Sequence, residues 1–370
     1  MISPWFFDIS LTLARELSKD NEVVVICPGY LIRNDFVLKN NTFRQAIVNH
    51  PKNDDSCRVK TIFDQSPYSL IDLIHLIRFV RNFQPDIIHF QESGGFIYSF
   101  IQIFLSYKYK IVLSVHDAES HMGSESVARD LKKSLSIKFS TRIHTMSDYV
   151  KTRLIELYAI DEFSVRVIPL SNSWTYEGLE FKNIDSEKKI VLFFGRIIEY
   201  KGLEYLIRAE KLVRKEINNL QVVIAGRCHE KQYMAKFKKS IEGRKDIVIL
   251  DRNISDYMAS MLLRKSKIVV LPYIAASQSG VIGLAYSHSR PVIVTNVGGL
   301  SEYVDNGKTG FIVSPRSSEA LADKIIKLLK DYNLRKEMNR SINEKIEGEL
   351  SWKTIAESTK SYYDEIISSN

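Results

Sequence analysis

The chain alternates short apolar runs, rich in β-branched residues, with longer amphipathic stretches over most of its length. The runs that predict strands in the first half read EVVVICP, PDIIHF, KIVLSVHD, TRIHTMS and SVRVIPLS. Those in the second half read KKIVLFFG, LQVVIAG, DIVILD, SKIVVLPY, PVIVTN and GFIVS. Strands that alternate with helices in this way predict βαβ units and parallel sheets.

The stretches between these runs carry apolar residues at helical spacing and predict helices. In the first half the predicted helices are Ser10–Lys19, Ser69–Asn82, Phe96–Tyr107 and Asp148–Leu157. In the second half they are Gly202–Glu216, Gln232–Glu242, Ser255–Ser266, Val281–His288, Leu300–Val304 and Ser318–Asp331. The closing segment SWKTIAESTKSYYDEIISS predicts a last amphipathic helix.

Between the two series, the segment 171–187 is polar and aperiodic and predicts a linker. A chain of 370 residues also exceeds one ordinary hydrophobic core. We therefore predict an α/β protein of two doubly wound, Rossmann-like domains that face each other across a cleft. The expected boundaries are 1–172 for the first domain, 173–350 for the second, and 351–370 for a helix that packs back toward the first.

The start of the chain departs from this pattern, because a doubly wound domain normally opens with a strand. Here the sequence MISPWFF leads instead into a helix near Ser10. Either the start lies downstream of the true one or the domain lacks its first strand. We favour a late start, since the helix would otherwise pack on an incomplete sheet.

Composition narrows the class of protein. Three cysteines, Cys27, Cys57 and Cys228, lie far apart, which favours a reducing compartment and argues against a disulfide framework or a zinc site. The N-terminus lacks a basic region before its apolar residues, and the most apolar span, 96–107, is too short to cross a bilayer. We expect a cytoplasmic protein. The net charge of +8 suits an anionic ligand, nucleic acid or an anionic membrane, and does not choose among them.

The strongest local motif is FFGRIIEYKGLEYLIRA. A predicted strand ends at Gly195, Arg196 and Lys201 follow, and Gly202 opens an amphipathic helix. Two cations beside a helix N-terminus suit a diphosphate, because the helix dipole and free N–H groups favour anions and arginine adds forked hydrogen bonds. The alternative is an ordinary pair of surface cations on a βα loop.

Two glycine-containing corners follow later in the chain. In SQSGVIGLA, the residues Gln278, Ser279 and Gly280 precede an apolar helix and offer amides and hydroxyls to a phosphate or a sugar. In VTNVGGLSE, the pair 298–299 permits close approach of the backbone before Glu302. Each corner has a structural alternative. The SQSG segment could be an ordinary helix cap, and Glu302 could simply complement the dipole of the helix in whose first turn it lies.

Polar side chains also end two strands of the first half. The motif SVHD places His116 and Asp117 at one strand end, and IIHFQESGG places His89, Gln91 and Glu92 at another. These side chains could orient a sugar or act as an acid or base. Strand-end histidines are often structural, and Asp117 could simply cap a turn.

Other motifs point to less specific roles. The basic stretch 129–142, RDLKKSLSIKFSTR, with Leu, Ile and Phe interleaved, fits either an anionic membrane surface or the solvated face of a helix. The segment NGKTG resembles the end of a phosphate-binding loop, but Glu302 stands where that loop needs a glycine. No G-x-G-x-x-G follows a strand, which argues against a dinucleotide-dependent dehydrogenase.

Together these segments resemble the GT4-type retaining glycosyltransferases with the GT-B fold. The resemblance rests on FFGRIIEYKGLEYLIRA, VVIAG, VVLPYIAASQSGVIGLAYSHSRPVIVTNVGGLSEYV, NGKTGFIV and SWKTIAE, which come in the family's order and spacing. It covers nearly all of the second half, and more loosely PDIIHF, SVHD, SDYVKTRL and VRVIPLSN in the first. It implies an acceptor-binding first domain, a second domain that binds a nucleotide sugar, and transfer without a bound metal or any cofactor.

The resemblance also implies roles for individual residues. Arg196 and Lys201 resemble the pair that holds the donor diphosphate, and His116 resembles the histidine beside the anomeric carbon of the donor. The expected donor contacts are Gly195, Asn253, Ile254, Gln278, Ser279, Gly280, Val281, Leu284 and Glu302, with the base near Arg252–Ile254. On the acceptor side we expect His89, Gln91 and Asp117.

Two positions depart from the family. It usually carries two glutamates about two helical turns apart after LPY, where this chain has Ala276 and Leu284, with Gln278 nearby. The SQSG version of the loop resembles a subgroup, so we interpret the change as substitution. Recognition of the ribose must then differ from the family's usual mode.

We therefore predict a retaining glycosyltransferase that builds a surface polysaccharide or glycolipid. Its expected partners are a nucleotide-sugar donor, a glycan or lipid-linked acceptor and an anionic membrane surface, but not nucleic acid, and attachment to the inner face of the membrane stays open. One alternative is a non-catalytic or regulatory GT-B protein. A weaker one is an isomerase or phosphorylase, for which the chain is short and offers no candidate cofactor lysine.

Overall fold

A computed structural model describes residues 7–28, 57–62, 70–92, 96–119, 127–171 and 188–369. The chain forms two compact units. Unit 1 contains Met1–Met146, Val150–Pro169 and Trp352–Asn370, and unit 2 contains Ser147–Tyr149 and Leu170–Ser351. The predicted linker, 171–187, lies outside the described residues except for Ser171.

Unit 1 is built on parallel strands. A parallel pair is formed by β1 (Val23–Pro28) and β2 (Cys57–Ile62). A four-stranded parallel sheet has the order β3 (Ile87–Gln91), β4 (Lys110–Val115), β5 (Arg142–Thr145) and β6 (Val165–Val167). The helices are α1 (Phe7–Leu17), α2 (Leu70–Phe83), α3 (Phe96–Ser106), α4 (Val127–Lys138) and α5 (Asp148–Tyr158), of which the first two residues of α5 belong to unit 2.

Unit 2 contains a six-stranded parallel sheet in the order β12-β11-β10-β7-β8-β9. Its strands are β7 (Lys189–Phe194), β8 (Leu220–Gly226), β9 (Ile247–Asp251), β10 (Ile268–Leu271), β11 (Val292–Thr295) and β12 (Gly310–Val313). Its helices are α6 (Leu203–Val213), α7 (Lys231–Ser240), α8 (Asp256–Lys265), α9 (Gly280–Tyr286), α10 (Ser318–Lys330) and α11 (Tyr332–Glu347). The runs of Val, Ile and Leu along β7, β8, β10 and β11 are almost fully buried, as expected for a parallel sheet covered on both faces, whereas the edge strand β9 is mostly half-buried.

The C-terminal helix α12 (Trp352–Ser368) is part of unit 1. Its apolar side, with Ile355 and Ile366, shares a buried cluster with Leu13 and Leu17 of α1. Lys110 at the start of β4 donates to the carbonyls of Ile366, Ile367 and Ser369 and so satisfies the C-terminal end of the helix. None of the helices among the described residues has both the length and the apolar character that a membrane crossing requires.

Most predicted elements are present, and the differences have local causes. The predicted helix Leu300–Val304 is a 3₁₀ segment from Gly298 to Tyr303. The pattern did not predict α11, which begins at once after α10 because Asp331 accepts a hydrogen bond from the amide of Leu334 and caps it. Nor did it predict β2, whose sequence CRVKTI has charged residues at alternate positions.

Candidate functional site

The strand order of unit 2 reverses between β7 and β10. In chain order the strands run outward from this pair in both directions, which defines a topological switch point. Ligands of doubly wound sheets bind beyond the carboxyl ends of the strands at such a point. The segment after β7 carries Gly195 and Arg196, and the segment after β10 carries Tyr273.

The turn after β7 depends on glycine at two positions. Gly202 has a φ of 64°, and a Cβ there would lie 2.0 Å from the carbonyl oxygen of Pro272. Gly226, at the end of β8, has a φ of 152°, and a Cβ there would lie 1.8 Å from the carbonyl oxygen of Gly195. The strand-end segments therefore pack backbone to backbone, which no larger residue would allow.

Arg196 and Lys201 both contact Tyr200, and Lys201 also contacts Tyr273. The ammonium of Lys201 lies 3.5 Å from the ring centroid of Tyr273 and 5.1 Å from that of Tyr200. The Arg196 guanidinium donates to the Tyr200 hydroxyl at 3.3 Å and is otherwise exposed. Cation–π contact and the hydrogen bond hold both cations at the switch point.

Tyr273 links these cations to the next loop. Its ring is fully buried, and its hydroxyl lies 3.3 Å from the hydroxyl of Ser279. Burial raises the pKa of Tyr273 to about 12, while the bond to Ser279 and the charge of Arg196 oppose that rise. Tyr273 is thus a neutral hydrogen-bonding group at neutral pH. The sequence pattern did not predict this role, although Tyr273 follows β10 directly in LPY.

The predicted donor contacts around Ser279 lie beside this cluster. Val281 is half-buried, and its side chain is 3.9 Å from the position of a Cβ on Gly195. Gln278 is half-buried and Gly280 is exposed at the start of α9. The strand end at Gly195 and the loop before α9 therefore meet.

The second glycine corner has a packing role. Gly298 has a φ of 53°, and a Cβ there would lie 1.6 Å from the carbonyl oxygen of Ala276. Ala276 and Leu284, at the positions of the family's glutamates, are both buried in the core of unit 2. The carboxylate of Glu302 accepts hydrogen bonds from the backbone N–H groups of Asp148 and Tyr149, which belong to the same unit, at 2.7 and 2.8 Å.

The segment predicted to lie near the base follows β9. Asn253 is exposed and Ile254 is half-buried against the core. The carboxylate of Asp251 accepts from the backbone N–H of Cys228 at 2.9 Å and so ties the segment after β8 to that after β9. These residues come together at the carboxyl ends of neighbouring strands.

In unit 1, His89 belongs to a buried chain of hydrogen bonds. Its Nδ1 pairs with the hydroxyl of Tyr363 and its Nε2 with Ser114 at 2.7 Å; Ser114 pairs with Nδ1 of His144 at 2.7 Å. Nε2 of His144 lies 3.1 Å from the carbonyl oxygen of Ile168, which can only accept. Burial lowers the pKa of both histidines, so both rings are neutral at neutral pH. With neutral rings the hydrogen bonds run in one direction, from the Tyr363 O–H to the Ile168 carbonyl.

His116 lies at the carboxyl end of β4 and is 3% exposed. Burial lowers the pKa of His116 to about 3, Asp117 opposes this, and the neighbouring His144 and Lys133 lower it further. The backbone N–H of His116 donates to the carboxylate of Glu92 at 2.9 Å, and Lys133 donates to the carbonyl of Asp117. Gln91, at the end of β3, is also buried.

The basic stretch 129–142 is therefore not a uniformly solvated face. It forms most of α4, and Lys133 is 5% exposed with its ammonium on the Asp117 carbonyl. Helical periodicity turns this lysine inward beside Ser136 and Ile137, which are buried as well. The interpretation of the whole stretch as one exposed basic face is wrong at this position.

Comparison with known proteins agrees with this architecture. Residues 10–170 match the protein family described as Glycosyltransferase Family 4, and residues 178–345 match the family described as Glycosyl transferases group 1. An uncharacterized glycosyltransferase of Methanocaldococcus jannaschii is 27% identical over 269 residues, which is 68% of this chain and 68% of that protein. The capsular polysaccharide biosynthesis glycosyltransferase CapM of Staphylococcus aureus is 25% identical over 248 residues, 64% of this chain and 65% of CapM. These alignments span about two thirds of each relative.

Among solved structures, Anabaena HepE in complex with UDP-glucose has the same fold. The TM-score is 0.71 at 16% sequence identity, and the match covers 98% of this chain and 99% of that chain. At this identity the likeness concerns the fold, which is GT-B.

Proposed function

We propose that this glycosyltransferase of the GT-B fold is of the GT4 type and transfers a sugar, with retention of configuration, from a nucleoside-diphosphate sugar to a hydroxyl group. One observation carries the proposal. At the switch point of unit 2, Arg196 and Lys201 both contact Tyr200, and Lys201 also lies over Tyr273, whose hydroxyl is beside Ser279. This arrangement offers two cations and hydroxyl donors to one diphosphate.

The chemistry follows from where charge develops. As the bond between the anomeric carbon and the diphosphate oxygen breaks, negative charge grows on the phosphate, where Arg196 and Lys201 would stabilise it. The acceptor hydroxyl forms its bond to the anomeric carbon on the face that the diphosphate leaves, and its proton passes to the departing phosphate oxygen. This step requires neither a protein nucleophile nor a metal, and the donor is the only small molecule involved besides the acceptor.

We expect the acceptor to be a glycan or a lipid-linked sugar of a surface polysaccharide or glycolipid. The relative CapM is named for capsular polysaccharide biosynthesis, which supports this class. Neutral His116 would act in catalysis. Asp117, the next residue in the chain, and Gln91, at the end of the neighbouring strand β3, would serve the acceptor side in unit 1. His89 already engages both ring nitrogens within unit 1, which favours a structural role for it.

An anionic membrane surface is the further partner that we propose. Helix α3 and the residue just after it expose Phe100 (66%), Phe104 (47%) and Tyr107 (82%) at helical spacing, so that they form one stripe. The Arg81 guanidinium of α2 lies 5.7 Å from the ring centroid of Phe104, and Arg78 is exposed one turn earlier. Aromatic rings bordered by arginines suit the interface of an anionic bilayer.

A non-catalytic GT-B protein is the rival account, and the apolar Ala276 and Leu284 are what favour it. Such a protein would bind a nucleotide or a partner without turnover. The two accounts differ in whether bound donor is consumed, so binding and turnover must be measured separately.

The binding test is a thermal-unfolding panel of UDP, GDP, ADP, CMP and dTDP with their common sugars. A ligand at about a hundredfold above its dissociation constant adds about 2.7 kcal/mol of stability, a shift of a few degrees. We expect one nucleotide to raise the melting temperature of the wild type and of Lys211→Ala, an exposed lysine on α6. Arg196→Ala and Lys201→Ala should abolish the shift; equal shifts in all four proteins would refute the assignment.

A further inference from the structure

Two charged side chains hold the main chain on either side of His116. On one side, the carboxylate of Glu92 accepts a hydrogen bond from the His116 backbone N–H at 2.9 Å. On the other side, the ammonium of Lys133 donates to the backbone carbonyl of Asp117. The Glu92 carboxylate thus holds the His116 amide, and the Lys133 ammonium holds the Asp117 carbonyl.

Glu92 and Lys133 both have an unfavourable local feature, which is the backbone conformation of Glu92 and the burial of the Lys133 ammonium. Glu92 has a φ of 69°, in the left-handed region that residues with a Cβ rarely adopt. Lys133 is only 5% exposed, and withdrawing an ammonium from water is costly unless it gains partners. Lys138, on the same helix, is exposed as lysines usually are. Local strain gathered around one turn is typical of functional sites.

The surrounding elements fix where these two groups lie. The backbone N–H of Glu92 donates to the carbonyl of Ser114 at 3.0 Å, which continues the pairing of β3 with β4 past the last paired residues. Lys133 lies on α4, the helix that follows β4 in the chain. Three elements of unit 1, β3, β4 and α4, therefore converge on the same turn.

We propose that Glu92 and Lys133 are positioning residues that fix the peptide carrying His116. The proposal rests on the proposed function, because the position of His116 matters to catalysis only if the chain transfers a sugar. A displacement of about 1 Å in a reacting group can cost a hundredfold in rate. Removal of either side chain should accordingly lower kcat far more than it changes the KM for the donor.

The first test needs no substrate. Full-length protein with ¹³C-labelled histidine gives one ring signal for each of its 8 histidines, and His116→Asn identifies the signal of His116. Lys133→Met, which keeps an unbranched chain and removes the donor, should move the His116 signal more than the other seven. Lys133→Arg should restore it, and Lys138→Met should leave it in place.

Glu92→Ala tests the same turn from the other side, and covers the case in which Lys133→Met does not fold. It should also move the His116 signal selectively. A His116 signal unmoved in the folded variants would overturn the proposal. So would equal movement of all histidine signals together with a lower melting temperature, since that outcome describes a purely structural role.

The second test is a double-mutant cycle on nucleotide release from the donor that the binding panel identifies. Lys133→Met should reduce kcat roughly tenfold to a hundredfold, and in the His116→Asn background it should have no further effect, because it acts through His116. Additive losses would contradict the proposal. If the wild type releases no nucleotide from any donor, the proposed function fails, and the histidine signals still decide the positioning role.

Discussion

Two glycines of unit 2 share a backbone conformation but not their surroundings. Gly202 has a φ of 64° with the Pro272 carbonyl 2.0 Å from a Cβ position, whereas Gly243 has a φ of 76° with nothing within 4 Å. We expect Gly243→Ala to cost about 1 kcal/mol of unfolding free energy from the left-handed backbone alone. Gly202→Ala should cost more, about 3 kcal/mol, because the backbone must also move.

Urea unfolding of both variants measures this difference. Equal losses would show that the close approach of Gly202 to Pro272 does not exist in solution. Donor binding should fall in Gly202→Ala only, since that glycine follows Lys201.

The residues that sequence reasoning identified at the site share one property. Arg196 and Lys201 follow a buried strand in a glycine-bounded motif, so their place at a strand end could be predicted from the chain alone. Tyr273 and Lys133 could not, because a tyrosine after a strand and a lysine in a basic run are ordinary in sequence. Only tertiary packing places the ring of Tyr273 against the Lys201 ammonium and the Lys133 ammonium on the Asp117 carbonyl.

At the level of elements, the hydroxyl of Tyr363 is one of the groups that anchor the C-terminal helix to the sheet. Tyr363 of α12 donates to Nδ1 of His89, the first bond of the buried chain through Ser114 and His144. Tyr363→Phe leaves a buried acceptor without its donor and should lower the unfolding free energy by about 1–3 kcal/mol. Tyr332→Phe, at a ring that is 67% exposed, is the matched control and should change it little.

The same buried series of hydrogen bonds predicts how the unfolding free energy depends on pH. Burial lowers the pKa of His144 to about 4, below its ordinary 6.5, so the unfolded chain takes up the proton first as the pH falls. The stabilisation by the neutral ring is complete above pH 6.5 and is lost between about pH 6.5 and 4, at about 1.4 kcal/mol per pH unit. His144→Gln should therefore flatten the fall of unfolding free energy with pH; an unchanged slope would contradict the buried neutral ring.

The strength of the periodic signal decides which elements the sequence could predict. The strands of unit 2 are unbroken apolar runs, and all six were predicted from them. Helix α11 was missed because its sequence is mostly polar and only Met338 and Ile342 are buried. The 3₁₀ segment 298–303 was predicted as an α-helix, since pattern alone does not reveal the close packing of Gly298 on the Ala276 carbonyl.

For the whole molecule, the charge of +8 and the aromatic stripe Phe100, Phe104 and Tyr107 predict binding to anionic membranes. The protein should sediment with vesicles containing phosphatidylglycerol and not with phosphatidylcholine alone. Phe100→Ser with Phe104→Ser should weaken this binding, whereas Phe163→Ser, at another ring that is 80% exposed, should not. Equal binding by all three proteins would exclude the stripe as the contact surface.

The central claim is that Arg196 and Lys201 hold the diphosphate of a sugar donor while it departs from the anomeric carbon, and that the new bond retains the configuration of that carbon. Proton NMR of the anomeric hydrogen, followed while the wild type consumes the donor with water or an alcohol as acceptor, tests it most directly. The account predicts that the anomeric carbon of the first product has the configuration that it had in the donor. It also predicts that Arg196→Ala and Lys201→Ala each slow the formation of this product at least about a hundredfold. A first product of opposite configuration, or release at the wild-type rate by both variants, would contradict it.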